Sequence, residues 1–228
     1  MAITLAEIRI QARQRADMQN SNFVSDSEAN NYINNSIAEL HDILCEAYGS
    51  EYFVLSTEFP ILAGTAEYAL PADFYEVKGV DIKMEAGNNF INVKRFNFNE
   101  RNRYSDLVVW DLAGLTNVRY RVVGNNLMFN PVPSTSATVR LWYVPVATRL
   151  VSDSDSLDDQ NAYAEYVIVD TAIKMMQKEE SDVRVLMAQK QALEKRIRDK
   201  SQNRDASEAG TISDVTAEND DYRYRHGG

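Results

Sequence analysis

Few side chains in this sequence could carry chemistry. There is one cysteine, Cys45, there are two histidines, His41 and His226, and one loop is dense in carboxylates, Asp153-Ser-Asp155-Ser-Leu-Asp158-Asp159. One cysteine allows no disulfide framework, and one cysteine with two histidines cannot complete a Cys/His zinc site within a chain. Cys45 falls in the apolar-periodic run from Ile37 to Tyr48, where it reads as a small buried hydrophobe. A catalytic thiol there would need a base held by a third group. His41 stands four residues away on the same helix without such a group, so it reads as a histidine on the polar face.

The carboxylate loop invites a calcium reading because closely spaced acids are hard-cation ligands. An EF-hand counted from Asp153 needs glycine at position six and glutamate at position twelve, and this chain has Asp158 and Ala164 there. The better reading is a helix N-terminus, with Asp158 as the cap and its acidic neighbours near the positive end of the helix dipole. A metal-dependent hydrolase using Asp153, Asp155, Asp158 and Asp159 is the alternative from the enzyme class. No P-loop, dinucleotide fingerprint or nucleophile elbow occurs. No residue is therefore assigned a catalytic, cofactor-binding or metal-binding role, and the expected protein is not an enzyme.

Charge narrows the partners. Lys and Arg number 24 against 34 Asp and Glu, a net charge of −10. The excess is spread out: in residues 1–50, 51–157, 158–200 and 201–228 the basic residues number 3, 10, 8 and 3 against 7, 12, 9 and 6 acidic ones. No segment is a basic patch, which disfavours a nucleic-acid grip. No run approaches the length of a membrane span and no basic leader opens the chain, so a soluble protein made in a cytoplasm is expected, without membrane contact.

The elements that must position these residues follow from periodicity. A capping box, Thr4-Leu-Ala-Glu7, opens a first helix with Leu5, Ile8 and Ala12 on one face, ended by Asn20-Ser-Asn22. A second box, Ser25-Asp-Ser-Glu28, opens a stronger helix through Ile33, Ile37, Leu40 and Leu44, stopped by Gly49. From Tyr52 to about Val146 the chain reads as strands near 52–56, 66–70, 76–84, 90–96, 118–123, 127–130 and 139–144. The clearest hairpin turns at Gly124-Asn-Asn126. A long helix over 158–200 follows, either broken near Glu179-Glu-Ser181 or projecting from the body. The fold class is α+β: a bundle of two N-terminal helices and one long C-terminal helix, with an inserted antiparallel β region and an extended C-terminal tail. The units are 1–50 with 158–200 as the helical domain, 51–157 as the inserted β domain, and 201–228 as the tail.

Aromatic residues from Tyr48 to Tyr104 mostly read as core. Phe96, Phe98, Arg101, Arg103 and Tyr104 are the exception, because their neighbours are polar and their pattern is irregular, which suits an interface. The tail has isolated hydrophobes, Ile212, Val215, Tyr222 and Tyr224, and ends in the alternation Tyr222-Arg223-Tyr224-Arg225. It reads equally as plain disorder or as a strand that orders only on a partner.

The order of certain short motifs resembles the head-to-tail adaptor, or connector, proteins of short-tailed bacteriophages. They are Arg15-Ala-Asp17, Phe23-Val-Ser-Asp26, Tyr32-Ile-Asn34, Tyr48-Gly-Ser-Glu-Tyr-Phe53, Tyr68-Ala-Leu-Pro-Ala-Asp-Phe74, Phe129-Asn-Pro-Val-Pro133, Trp142-Tyr-Val-Pro145, Glu165-Tyr166 and Lys174-Met-Met-Gln-Lys-Glu-Glu180. The resemblance covers most of residues 5–200. It implies a virion protein at the head–tail junction, in a ring typically of twelve copies beneath the portal, through which double-stranded DNA passes without specific binding. It further implies a helical part that packs against ring neighbours, a C-terminal extension docked on the portal protein, and a β region facing the tail or nozzle protein. Another phage neck or tail-completion protein is the nearest alternative. An acidic balance suits a ring around a moving duplex, since a phosphate-binding lumen would hold the genome back.

Overall fold

The computed structural model describes residues 2–84, 89–101, 118–158 and 162–201. Helix α1 (Leu5–Arg15) opens on the expected capping box: the Glu7 amide donates to the Thr4 hydroxyl at 3.2 Å and the Thr4 amide to the Glu7 carboxylate at 2.9 Å. Leu5, Ile8 and Ala12 are fully buried. The helix stops before the expected Asn20-Ser-Asn22, because Asp17 turns to φ 55° and swings Met18 inward. Helix α2 (Asp26–Tyr48) is capped by Ser25, whose hydroxyl accepts from the Glu28 amide, and stops at Gly49 with φ 74°. The Glu28 carboxylate, expected to return to the cap, bonds Lys178 at 2.6 Å and the Tyr32 hydroxyl at 2.9 Å instead.

Two four-stranded sheets follow. The first runs in the order β2 (Leu55–Ile61), β9 (Ala137–Pro145), β4 (Phe74–Met84) and β5 (Ile91–Asn92), all antiparallel. The second runs β3 (Glu67–Ala69), β8 (Asn126–Asn130), β7 (Arg119–Val123) and β6 (Lys94–Arg95). Alternation decides which side chains meet: Val80, Ile82, Val139 and Leu141 from the first sheet share one core with Tyr120, Leu127 and Phe129 from the second. Each of the fully buried aliphatic side chains contributes roughly 1.5–3 kcal/mol.

Three strand expectations are corrected. Tyr52 and Phe53 lie in a short 3₁₀ turn (Ser50–Phe53), so the strand there starts at Leu55. The run 90–96 is not one strand: β5 belongs to one sheet and β6 to the other, the chain crossing at Val93, whose amide donates to the Val80 carbonyl at 2.8 Å. The region is not wholly antiparallel either, because β6 pairs with β7 in parallel, Lys94 opposite Arg119 and Arg95 opposite Tyr120. The 118–130 hairpin forms as the sequence predicts, with Gly124 at φ 58° between Val123 and Asn126.

A two-stranded ribbon joins the ends of the bundle, β1 (Ala2–Thr4) pairing antiparallel with β10 (Ser156–Asp158). Asp158 is therefore a strand residue and not a helix cap. The helix after it starts at Ala164, with Tyr163 at the cap position and no side-chain bond there. Of the two readings of 158–200 the break holds, and the long helix is divided into α3 (Ala164–Lys178) and α4 (Arg184–Ser201). The break falls at Glu179-Glu-Ser181, where Glu180 adopts φ 59° and the Ser181 amide closes onto the Met176 carbonyl at 3.0 Å.

Ten of the fifteen residues of α3 are buried, so α1, α2 and α4 pack around it. Asp170 of α3, with its side chain 3% exposed, accepts from Lys174 at 2.6 Å, Lys190 at 2.7 Å and the Ser36 hydroxyl at 2.6 Å. Burial alone would raise its pKa. The two ammonium groups and the hydroxyl outweigh burial and hold the carboxyl below the usual range. Lys190 also meets Glu39 at 3.1 Å, and burial pushes the neighbouring Tyr166 phenol up to about 12.

His41 fastens the bundle to the strands. It is buried, not on the polar face, and stacks on Phe53 at 4.6 Å with Tyr75 edge-on at 5.8 Å, while Pro145 lines the same cavity as His41. Burial pushes its pKa down, against the opposing pull of Asp42. Nearby, Asn34 bonds both the carbonyl and the amide of Leu150, at 2.9 and 2.8 Å.

Two outcomes are expected. Lys190→Met leaves Asp170 with one ammonium and should cost about 2–4 kcal/mol in urea unfolding; Lys195→Met, exposed on the same helix, should cost less than about 0.5 kcal/mol. For His41, the unfolded ring takes up a proton near pH 6.5 while the folded ring stays neutral to lower pH, so its contribution falls as pH drops below about 6.5, by at most about 1.4 kcal/mol per pH unit. Thermal melts at neutral and mildly acidic pH should show a smaller acid loss in His41→Gln than in the parent; an equal loss would remove His41 from the account.

Candidate assembly surfaces

The residues that sequence spacing nominates for chemistry are absorbed by the fold. Asp153 forms an ion pair with Arg9 at 3.0 Å, and Asp155 accepts from the Val151 and Ser152 amides at 2.8 Å each, which lowers its pKa. Asp159 lies outside the described residues, and among the described residues no group of three or more His, Cys, Asp or Glu converges as a metal site. Cys45 Sγ is 3.7 Å from His41 Nδ1, but burial pushes the thiol up, with Asp42 and Glu76 adding to it, so the thiolate is disfavoured.

What remains are surfaces. On the helical side α2 carries Asp26, Glu28, Glu39, Asp42 and Glu46 and no Lys or Arg. Cations from the other three helices meet it: Arg13 reaches Asp26, Lys178 reaches Glu28, Lys174 and Lys190 reach Glu39, and Arg198 reaches Glu46. The bundle thus spends its charge internally. Apolar side chains are left on its outside, Ile10 on α1, Phe23 before α2, and Val185 and Met187 at the start of α4, Val185 being 80% exposed. A cavity of about 480 Å³ lies where bundle and strands meet, lined by Leu40, His41, Leu44, Phe53, Ala147 and Leu157 among others.

On the strand side, the outer face of the first sheet is satisfied within itself. Arg140 bonds Glu58 at 2.6 Å and lies 3.8 Å from the centre of the Phe90 ring, while the Trp142 indole donates to Asp81 at 2.7 Å and covers Gly79. The second sheet differs. Phe98, in a short 3₁₀ turn (Phe98–Glu100), is 41% exposed, with the Arg101 guanidinium 4.9 Å and that of Arg121 5.5 Å from its ring centre. Arg121 also donates to the Phe96 carbonyl at 3.2 Å, and the Asn130 amide donates to the Arg101 carbonyl. The parallel pairing of β6 and β7 adds Lys94 beside Arg119.

Of the five residues expected here, Phe98 and Arg101 meet on this surface. Phe96 is corrected: it is 2% exposed, turned into the interior, and offers only its carbonyl. Arg103 and Tyr104 lie outside the described residues, as do the tail residues Ile212, Val215, Tyr222, Arg223, Tyr224 and Arg225. Sequence reading missed Lys94, Arg119 and Arg121, since charge counted by segment does not register cations that a strand pairing brings together from 25 residues apart. The alternation Arg119-Tyr-Arg121, which puts two cations on one face of a strand, was the available signal.

Among the described residues, no helix is long and apolar enough to cross a membrane. No curated protein matches the chain. A family model described as SU10 adaptor protein matches residues 3–214, which spans the bundle, both sheets and the start of the tail. By that match over nearly its whole length, the chain belongs to the SU10 adaptor protein family, a family of bacteriophage head-to-tail adaptors.

Proposed function

We propose that the chain is a structural virion protein that assembles, in about twelve copies by family resemblance, into a ring between the portal and the tail or nozzle. The observation that carries this reading is the family match across residues 3–214. The bundle of 1–50 with 158–200 meets ring neighbours, the β unit 51–157 faces the tail component, and 201–228 docks on the portal through Ile212, Val215, Tyr222, Arg223, Tyr224 and Arg225. Ring neighbours touch through two different patches, so the exposed Ile10, Phe23, Val185 and Met187 have somewhere to be buried. A net charge of −10 supports a channel that lets DNA slide without holding it.

Mixing the purified protein with rings of its portal, and sizing the products by sedimentation, should give a complex of defined stoichiometry; no association would sink the adaptor reading. Removing residues 202–228 should abolish that association while the melting temperature stays within a few degrees of the parent, because the core among the described residues lies within 5–197. A truncated protein that still binds the portal would refute the docking role of the tail.

A further inference from the structure

Cations from three separated stretches converge on the second sheet of a strongly acidic chain. Lys94 and Arg95 form its edge strand and are exposed, Arg101 follows the turn carrying Phe98, and Arg121 lies on β7, one strand in from the edge. Arg101 and Arg121 both pack against the Phe98 ring. Lysine and arginine on an edge strand keep it from pairing with other edges, which accounts for Lys94 and Arg95. It does not account for Arg101 and Arg121, which are off the edge, nor for a half-exposed phenyl ring between them. Like charges held within a Debye length of about 8 Å repel, and an acidic partner converts that repulsion into attraction.

We propose that this face, formed by Lys94, Phe98, Arg101 and Arg121, docks an acidic segment of another protein; Arg95, paired with the core residue Tyr120, points to the opposite face. The inference rests on the adaptor reading and deepens it by naming the chemistry of the partner on the strand side. Two guanidinium groups lie against the ring, each with one N–H on a backbone carbonyl, and their remaining donors can hold carboxylates, while Phe98 itself offers an apolar contact that a protein segment can cover. A protein partner is favoured over nucleic acid by the charge of the whole molecule. Its field, net −10, opposes a long polyanion, whereas a short acidic segment meets only the local patch.

Fluorescence anisotropy on the full-length protein tests this with two labelled probes, a short poly-glutamate peptide and a short DNA duplex, at low and physiological salt. The peptide should bind, more weakly as salt rises, and Lys94→Glu/Arg101→Glu, at two exposed residues, should weaken it roughly tenfold with unchanged melting temperature. Phe98→Ala, which removes the ring but no charge, should weaken it less. Absence of peptide binding, or equal binding by the charge-reversed protein, overturns the proposal, and tighter binding of the duplex than of the peptide overturns it in favour of a phosphate partner. Portal association of the same variant is measured alongside and should be unchanged. A parent protein that fails on the portal counts against the adaptor reading, while the peptide result judges the patch independently.

Discussion

A buried carboxylate organises this molecule. Asp170 sits inside the bundle, and an unpaired charge there would cost several kcal/mol, so the helices must be placed where they can neutralise it. Its own helix supplies Lys174 one turn on, α4 supplies Lys190 and α2 supplies Ser36. Three helices are thereby fixed in rotation as well as position, since a helix turned by one residue would point the wrong side chain at the site. This matters most for α4, whose only fully buried hydrophobe is Ile197. Such a helix has a thin apolar seam, and its register is set by Lys190 near its middle and by Arg198 on Glu46 near its C-terminal end.

The same economy explains how an acidic chain can build a bundle. An α2 with five acids and no Lys or Arg would repel like neighbours, yet α1, α3 and α4 each present cations to it. Most of these pairs are partly exposed and contribute at most about 1 kcal/mol each. Their role is selection among packings of similar apolar burial.

How much of this the residues foretell depends on the range of the interaction that decides each feature. Thr4, Ser25 and Gly49 act on their own helix ends, and Val118 to Asn130 closes a local hairpin, so these are legible in sequence. The crossing at Val93 is not, because what draws it is the Val80 carbonyl in another strand. Asp158 looks like a cap because it precedes an apolar run, but pairing with Ala2 at the other end of the chain claims it. His41 reads as polar and ends up buried because Phe53, Tyr75 and Pro145 come from elements whose position the helix pattern does not encode. The cationic face on the second sheet is hidden for the same reason, while Phe98 and Arg101, three residues apart, were within reach of inspection.

The ribbon of β1 and β10 bears on the order in which the molecule is made. Ala2–Thr4 find their partners only at residues 156–158, and α1 and α2 find theirs only in α3 and α4. During synthesis the first helices leave the ribosome with no lasting partner, while the sheets between them have every strand they need by about residue 145. The strand unit can settle first and shorten the loop that separates the helices, lowering the entropy of bringing the chain's two ends together. The outer surface of the bundle would then take shape after the strand unit, once α3 and α4 have been made.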